Sequence, residues 1–185
     1  MTLYKNKYRI ESARLKGWDY SSPGHYFITI CTKNRKCLFG EIKNGKMLPN
    51  QYGEILENCW NDLPNHYPNL KLDQFAVMPN HVHGIIIIEN DNNTIVETGL
   101  KPVSTEMPDI TDRTHGLFEF IRALKSFSAR RINEQRQTPG ITVWQTRFHD
   151  HIIRDENELN RIRQYIKNNP LNWDKDGNHI SEVYP

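Results

Sequence analysis

The chain has 185 residues, 37% of them hydrophobic and 25% charged, with a formal net charge of +2. That is enough for a single domain over residues 1–185 with its own apolar core and no need of disulfides or a structural metal. No run approaches the roughly 18 to 20 apolar residues that span a bilayer. The N-terminal stretch with Lys5, Lys7, Arg9, Arg14 and Lys16 lacks the apolar centre of a secretory leader, so a cytoplasmic protein away from membranes is expected.

Ser22-Pro23-Gly24 is a turn signal, and His25 to Thr32 after it is β-branched and aromatic, which predicts a strand. Cys37 to Ile42 is expected to pair with it as a hairpin. Gln51 to Leu63 has Ile55, Leu56, Cys59 and Trp60 at helical spacing and Pro64 beyond, which predicts an amphipathic helix stopped by proline. Leu70 to Met78 and Val82 to Glu89 read as two strands joined by Pro79-Asn80. The second, with Gly84 followed by four isoleucines, is apolar on both faces and therefore expected in mid-sheet. Cys31, Cys37 and Cys59 have no C-x-x-C spacing and read as reduced thiols in or near the core.

Residues 90–115 are polar, contain Pro102 and Pro108, and show no periodicity, which predicts a mobile insertion. From Leu117 onward, Leu117, Phe120, Ile121, Leu124 and Phe127 form one helical stripe, with Arg122, Lys125, Asn133 and Arg136 expected on the opposite face. Thr142 to Arg154 looks extended. Glu156 to Asn169 is helical, with Asp155 as N-cap, Leu159, Ile162 and Ile166 inward, and Pro170 as the stop. Residues 1–20 form a basic arm and residues 174–185 a tail. This succession predicts an α+β fold, a ferredoxin-like sandwich with a largely antiparallel sheet and helices packed on it.

Charge is distributed unevenly. Arg14 and Lys16 in the arm, and Arg122, Lys125 and Arg136 in the long helix, form two basic segments able to follow a phosphate backbone, although a solvated helix face is the commoner meaning of such runs.

His81-Val82-His83 opens the central strand, and strand alternation sends both imidazoles to one face, where they can share a metal ion. His149-Asp150-His151 has the same spacing, and spacing alone does not choose between the pairs. The rigid apolar strand behind His81 and His83 favours them, since ligands need fixed geometry. Tyr165 and Asn169 lie one turn apart on one helical face. Taken alone, a tyrosine there reads as a packing residue with its hydroxyl at the boundary.

Three segments in this order, Met78-Pro79-Asn80-His81-Val82-His83-Gly84, then Trp144-Gln145-x-Arg147-Phe148-x-Asp150-His151-Ile152-Ile153-Arg154, then Tyr165-Ile166-x-x-Asn169-Pro170, resemble the single-tyrosine transposases of the HUH superfamily. Their nearest likeness is the branch of REP-associated tyrosine transposases. Arg14-Leu15-Lys16-Gly17-Trp18-Asp19-Tyr20 followed by Tyr26 to Thr32 is similar to the opening of that branch, so the resemblance runs from about residue 9 to 173. It implies that Tyr165 is the nucleophile, that His81, His83 and Asn169 hold a divalent metal (Mg²⁺ or Mn²⁺), and that the substrate is single-stranded DNA with hairpins, cut and rejoined through a 5′-phosphotyrosine. Several relatives carry glutamine where Asn169 stands. Arg14, Lys16, Arg122, Lys125, Arg136 and Arg147 become candidate DNA contacts, Trp18 and Tyr20 candidate base-stacking residues, and Gln145 and His151 candidate supports for the metal ligands. Relatives include dimers and monomers. The competing reading is a catalytically silent hairpin-binding DNA or RNA protein, or a regulator, on the same fold.

Overall fold

The computed structural model describes residues 14–89 and 115–179. The expected insertion over residues 90–115, apart from His115, therefore lies outside the described residues, as do the start of the arm and the end of the tail. In chain order the elements are β1 (Gly24–Cys31), β2 (Gly40–Lys43), β3 (Lys46–Pro49), α1 (Gln51–Asn61), the short α2 (Leu63–His66), β4 (Leu70–Met78), β5 (His81–Ile88), α3 (Leu117–Gln135), β6 (His149–Ile153) and α4 (Glu156–Asn168), followed by a 3-10 stretch, Pro170–Lys175.

The main sheet runs β4-β5-β1-β6 with every neighbouring pair antiparallel. This is the strand order of a ferredoxin-like sandwich, here with α1 and α3 on one face and α4 on the other. β5 lies between β4 and β1, and all but one of its residues are buried. Its near-continuous apolar run is explained by cover on both faces.

On the α1 side, the Trp60 indole lies against β5 at Gly84. A Cβ there would meet the ring at 2.5 Å, so only glycine lets the helix settle this close. Phe75 stacks on the same indole with ring centres 4.4 Å apart. On the opposite face, Leu159 and Ile166 of α4 pack on Ile85 and Ile153, each contributing roughly 1.5–3 kcal/mol by leaving water. Asp155 caps α4 by accepting from the Glu158 amide at 2.9 Å. Arg163 then forks onto Asp73 of β4, with Nε to Oδ1 at 3.1 Å and Nη2 to Oδ2 at 2.6 Å, beside the register shift between Leu72 and Phe75.

Four expectations need correction. The Cys37 to Ile42 segment does not pair with β1. Its latter part forms β2, which pairs with β3 in a separate ribbon, because Asn44 and Gly45 both take positive φ, at 52° and 71°, and close a tight local hairpin. Pro64 does not simply stop the helix. α1 ends at Asn61 and the proline occupies the first turn of α2, where its missing N–H costs nothing. Cys37 is exposed, in contrast to Cys59 in the core.

The fourth correction concerns the supposed basic face of α3. Lys125 turns inward, donating to the carbonyls of Gln145, Thr146 and Arg147 at 2.9, 3.2 and 3.4 Å, and burial is the main reason its pKa falls to about 8. Asn133 is buried and donates to the Ile141 carbonyl. Arg136 donates to the Asn133 side chain at 2.6 and 2.9 Å. The chain after α3 folds back over this face and uses its polar groups as tethers.

Asn69 is buried between the two flanks of the insertion. Its carbonyl accepts from the Glu89 amide at 2.9 Å, and its side-chain amide donates to the His115 carbonyl at 2.9 Å. Among the described residues no helix is long and apolar enough to cross a membrane.

Candidate active site

β5 presents His81 and His83 to the α4 side of the sheet, both fully buried, while Val82 between them enters the core on the opposite face. Their Nε2 atoms lie 3.0 Å apart. Asp176, from the turn after the 3-10 stretch, brings Oδ2 to 3.6 Å from the Nε2 of His81 and 4.0 Å from that of His83. One ligand atom from each of the three residues fits within a 4.8 Å cluster.

The polar accounting of this cluster matches a cation. Asp176 Oδ2 and Asn169 Oδ1 are buried without a hydrogen-bond partner, an arrangement that folded proteins rarely tolerate for acceptors. Two imidazole nitrogens and two oxygens, with few protons to share among them, are a donor set for a divalent metal with open positions left for a ligand. The Asn169 side chain interacts with both Asp176 and Tyr165.

Electrostatics agree with this packing. Burial lowers the His81 pKa to about 3, helped by His83 and opposed by Asp176. Burial likewise lowers His83, with Asp176 opposing and His149 adding to the fall. Burial raises Asp176, but His83, the Asn178 amide, His81 and Asn169 together hold it below the ordinary carboxylate range. The imidazoles are thus neutral and the carboxylate charged at neutral pH, the protonation states that metal ligands require.

Tyr165 stands at the open edge of this cluster. Its hydroxyl is 3.4 Å from His83 Nε2, and its ring meets those of His83 and Phe27 edge-on, with centres 5.2 and 6.0 Å away. The residue is 47% exposed, so an external phosphate can approach the oxygen. Burial raises its pKa, Asp176 raises it further, and Asn169 opposes them. The phenol is consequently neutral in the absence of a cation.

The second H-x-H pair lies on the same face of the sheet, two strands away across β1: Thr29 of β1 pairs with His83 on one side and His149 on the other. Both residues of this pair are exposed. His149 sits edge-on to Phe27 at 6.4 Å, and His151 is paired with Glu158 at 2.9 Å. Among the described residues, the group of ligand atoms includes His81 and His83 and neither residue of this second pair.

The other candidates divide. Lys16, Arg122 and Arg147 are exposed. Arg14 is held against Asp150 at 3.6 Å and over the Phe118 and Phe148 rings. Lys125 and Arg136 are tethers, as described above. Trp18 is 40% exposed, whereas Tyr20 is 7% exposed and its hydroxyl accepts from the Leu15 amide. Trp144 is a core residue whose indole donates to Ser128. Gln145 uses its backbone amide to bond Cys31.

No protein-family model matches the chain. A Haemophilus influenzae protein named "Uncharacterized protein" is 40% identical over 167 residues, 89% of this chain and 90% of the relative. A second H. influenzae protein, named "Putative REP-associated tyrosine transposase", is 25% identical over 155 residues, 83% of this chain and 73% of the relative. The chain is thus similar in sequence to a protein named as a REP-associated tyrosine transposase. A solved structure of a REP-associated tyrosine transposase bound to a REP hairpin shares the fold, with a TM-score of 0.56 and 17% identity over 89% of this chain and 74% of that one.

Sequence reasoning missed Asp176, reading the segment from residue 174 as a tail. A signal was present. Asp176-Gly177-Asn178 is a turn sequence, and Asp176 Oδ1 accepts from the Asn178 amide at 2.6 Å. The turn is anchored by Arg35 and Asn80, which donate to the Gly177 and Asn178 carbonyls at 2.8 Å each.

Proposed function

We propose that this chain cuts and rejoins single-stranded DNA beside hairpins, with Tyr165 as the nucleophile and a divalent cation, Mg²⁺ or Mn²⁺, bound by His81, His83, Asp176 and Asn169. The observation that carries this reading is the Tyr165 hydroxyl at 3.4 Å from His83 Nε2, at the edge of the buried ligand cluster.

When bound there, the cation would neutralise charge growing on the phosphate oxygens. The rest of the chemistry belongs to the protein. The Tyr165 oxygen attacks phosphorus in line, the bond from phosphorus to the 3′ oxygen breaks, the phenol proton is lost, and the departing oxygen takes one up. The result is a tyrosine joined to the 5′-phosphate and a free 3′-hydroxyl. Because an ester replaces an ester, the step runs backwards on another 3′-hydroxyl without ATP. Edge-on packing against Phe27 and His83 restricts the tyrosine ring to one orientation, and such restriction favours an attack that must be in line. Exposed Lys16, Arg122 and Arg147 are suited to phosphates of the neighbouring duplex, and Trp18 to an unpaired base. Tyr165 and the histidines come from one chain, so the reading is of catalysis within a single subunit.

The test is incubation with an end-labelled single-stranded hairpin and Mn²⁺, followed by denaturing electrophoresis. A covalent adduct, absent with Tyr165→Phe while hairpin binding is retained, is expected. Cleavage without an adduct would mean water as nucleophile, and a mobility shift without cleavage would mean a silent binder.

A further inference from the structure

Two side chains behind the imidazoles are in contact with the site without belonging to it. Asn80 is fully buried. Its amide nitrogen donates to the Arg35 carbonyl at 3.1 Å and to the Asn178 carbonyl at 2.8 Å. Both protons of the amide are therefore committed, and turning it over would set its oxygen against two carbonyl oxygens. The oxygen must face His81 Nδ1, 2.7 Å away. A carbonyl oxygen only accepts, so His81 carries its proton on Nδ1 and presents a bare Nε2 lone pair to the cluster.

Thr29 is different in kind. Its hydroxyl lies 2.8 Å from His83 Nδ1, and a hydroxyl rotates and can either donate or accept. Without a cation, the 3.0 Å gap between the two Nε2 atoms is a hydrogen bond only if one carries a proton, and Asn80 has excluded His81. His83 must then be the donor through Nε2–H, with the Thr29 hydroxyl donating to its Nδ1. When a cation takes the Nε2 lone pair, the same neutral imidazole needs its proton on Nδ1, and the Thr29 hydroxyl must accept.

We propose that Asn80 and Thr29 are positioning residues that set the two histidines unequally: Asn80 locks His81 as a permanent ligand, and Thr29 lets His83 move its proton from Nε2 to Nδ1 as a cation enters. The proton count is unchanged, since one proton leaves Nε2 and one is taken up at Nδ1. His81 is thus ready for a metal before it arrives, and His83 holds the empty pair together by a hydrogen bond until then. Partners of this kind behind metal-bound histidines commonly change affinity by about 10- to 100-fold. The proposal rests on the metal-centre reading above only for its second half.

The experiment is ¹⁵N-¹H correlation of the histidine rings in the full chain at pH 8, where the ring-nitrogen shifts report which nitrogen bears the proton. Without metal, His81 is expected as the Nδ1–H form and His83 as the Nε2–H form. With Zn²⁺ as a diamagnetic probe, both are expected as Nδ1–H. Thr29→Val, which offers no acceptor for Nδ1–H, should keep the metal-free pattern and weaken Zn²⁺ binding by about 10- to 100-fold, and Thr29→Ser should restore it. Both rings as Nδ1–H before metal is added would overturn the proposal, as would Thr29→Val binding Zn²⁺ as tightly as wild type. A spectrum that responds to Zn²⁺ with His83 unchanged overturns the proton shift alone. One that does not respond overturns the metal centre as well.

Discussion

Adding one methyl group at Gly84 is a severe test of how the strand carrying His81 and His83 is seated. An alanine Cβ there would lie 2.5, 2.9 and 3.1 Å from three atoms of the Trp60 ring, so the indole would have to retreat by about 1 Å to reach ordinary contact. It has nowhere to go, because Phe75 stacks on it at 4.4 Å and 12° and the residue is 1% exposed. Overpacking of this kind costs about 1–3 kcal/mol. For a chain of this size each kcal/mol corresponds to about 2–4 °C in Tm, so Gly84→Ala should lower Tm by roughly 2–12 °C. The assay is urea and thermal unfolding of wild type, Gly84→Ala, Trp60→Leu and the double variant. With the indole gone the methyl has room, and its cost should shrink to below about 0.5 kcal/mol. An equal cost in both backgrounds would refute the steric argument. Since His83 directly precedes Gly84, strand cleavage should fall further in Gly84→Ala than the stability loss alone accounts for.

Asp176→Asn removes the only carboxylate among the proposed ligands, and calorimetry should show Mn²⁺ binding about 10- to 100-fold weaker; unchanged affinity would remove Asp176 from the ligand set. Arg163→Ala breaks the fork that pins α4, and with it Tyr165, to β4, at a cost of about 1 kcal/mol for a partly exposed pair. The sign with pH follows from Asp73. Burial raises its pKa, but Arg163 and the Gln74 amide outweigh that and hold it below its ordinary value. The contribution is therefore complete above the usual carboxylate pKa and disappears as pH falls through the lowered one. Unfolding measured at pH 7 and pH 3 should show the difference between wild type and Arg163→Ala narrowing in acid, whereas a constant difference would mean that the pair is not the cause. Tyr165→Phe, with its labelled-adduct readout, completes the set.

What could be read from the residues was what obeys a period. β5 was legible as central because apolar residues on both faces require cover on both faces, and the alternation that put His81 and His83 on one side needed no tertiary information. α4 was legible from its apolar spacing and its Asp155 cap. Lys125 was misplaced because helical period locates a face but not the chain that later folds over it; the carbonyls of Gln145 to Arg147, twenty residues on, are what turn it inward. The pairing of Cys37 to Ile42 failed because a four-residue strand with a positive-φ turn beside it is satisfied locally before it can reach β1. Asp176 was invisible to periodicity, since its place is fixed by Arg35 and Asn80, residues 142 and 98 positions away from the carbonyls they hold.

Asn69 carries a different consequence. One buried residue ties two distant points of the chain together: its backbone carbonyl accepts from the Glu89 amide just after β5, and its side-chain amide donates to the His115 carbonyl just before α3. Only the second of these bonds depends on the side chain, so replacing Asn69 by alanine would release the approach to α3 while the end of β5 stays held through the backbone.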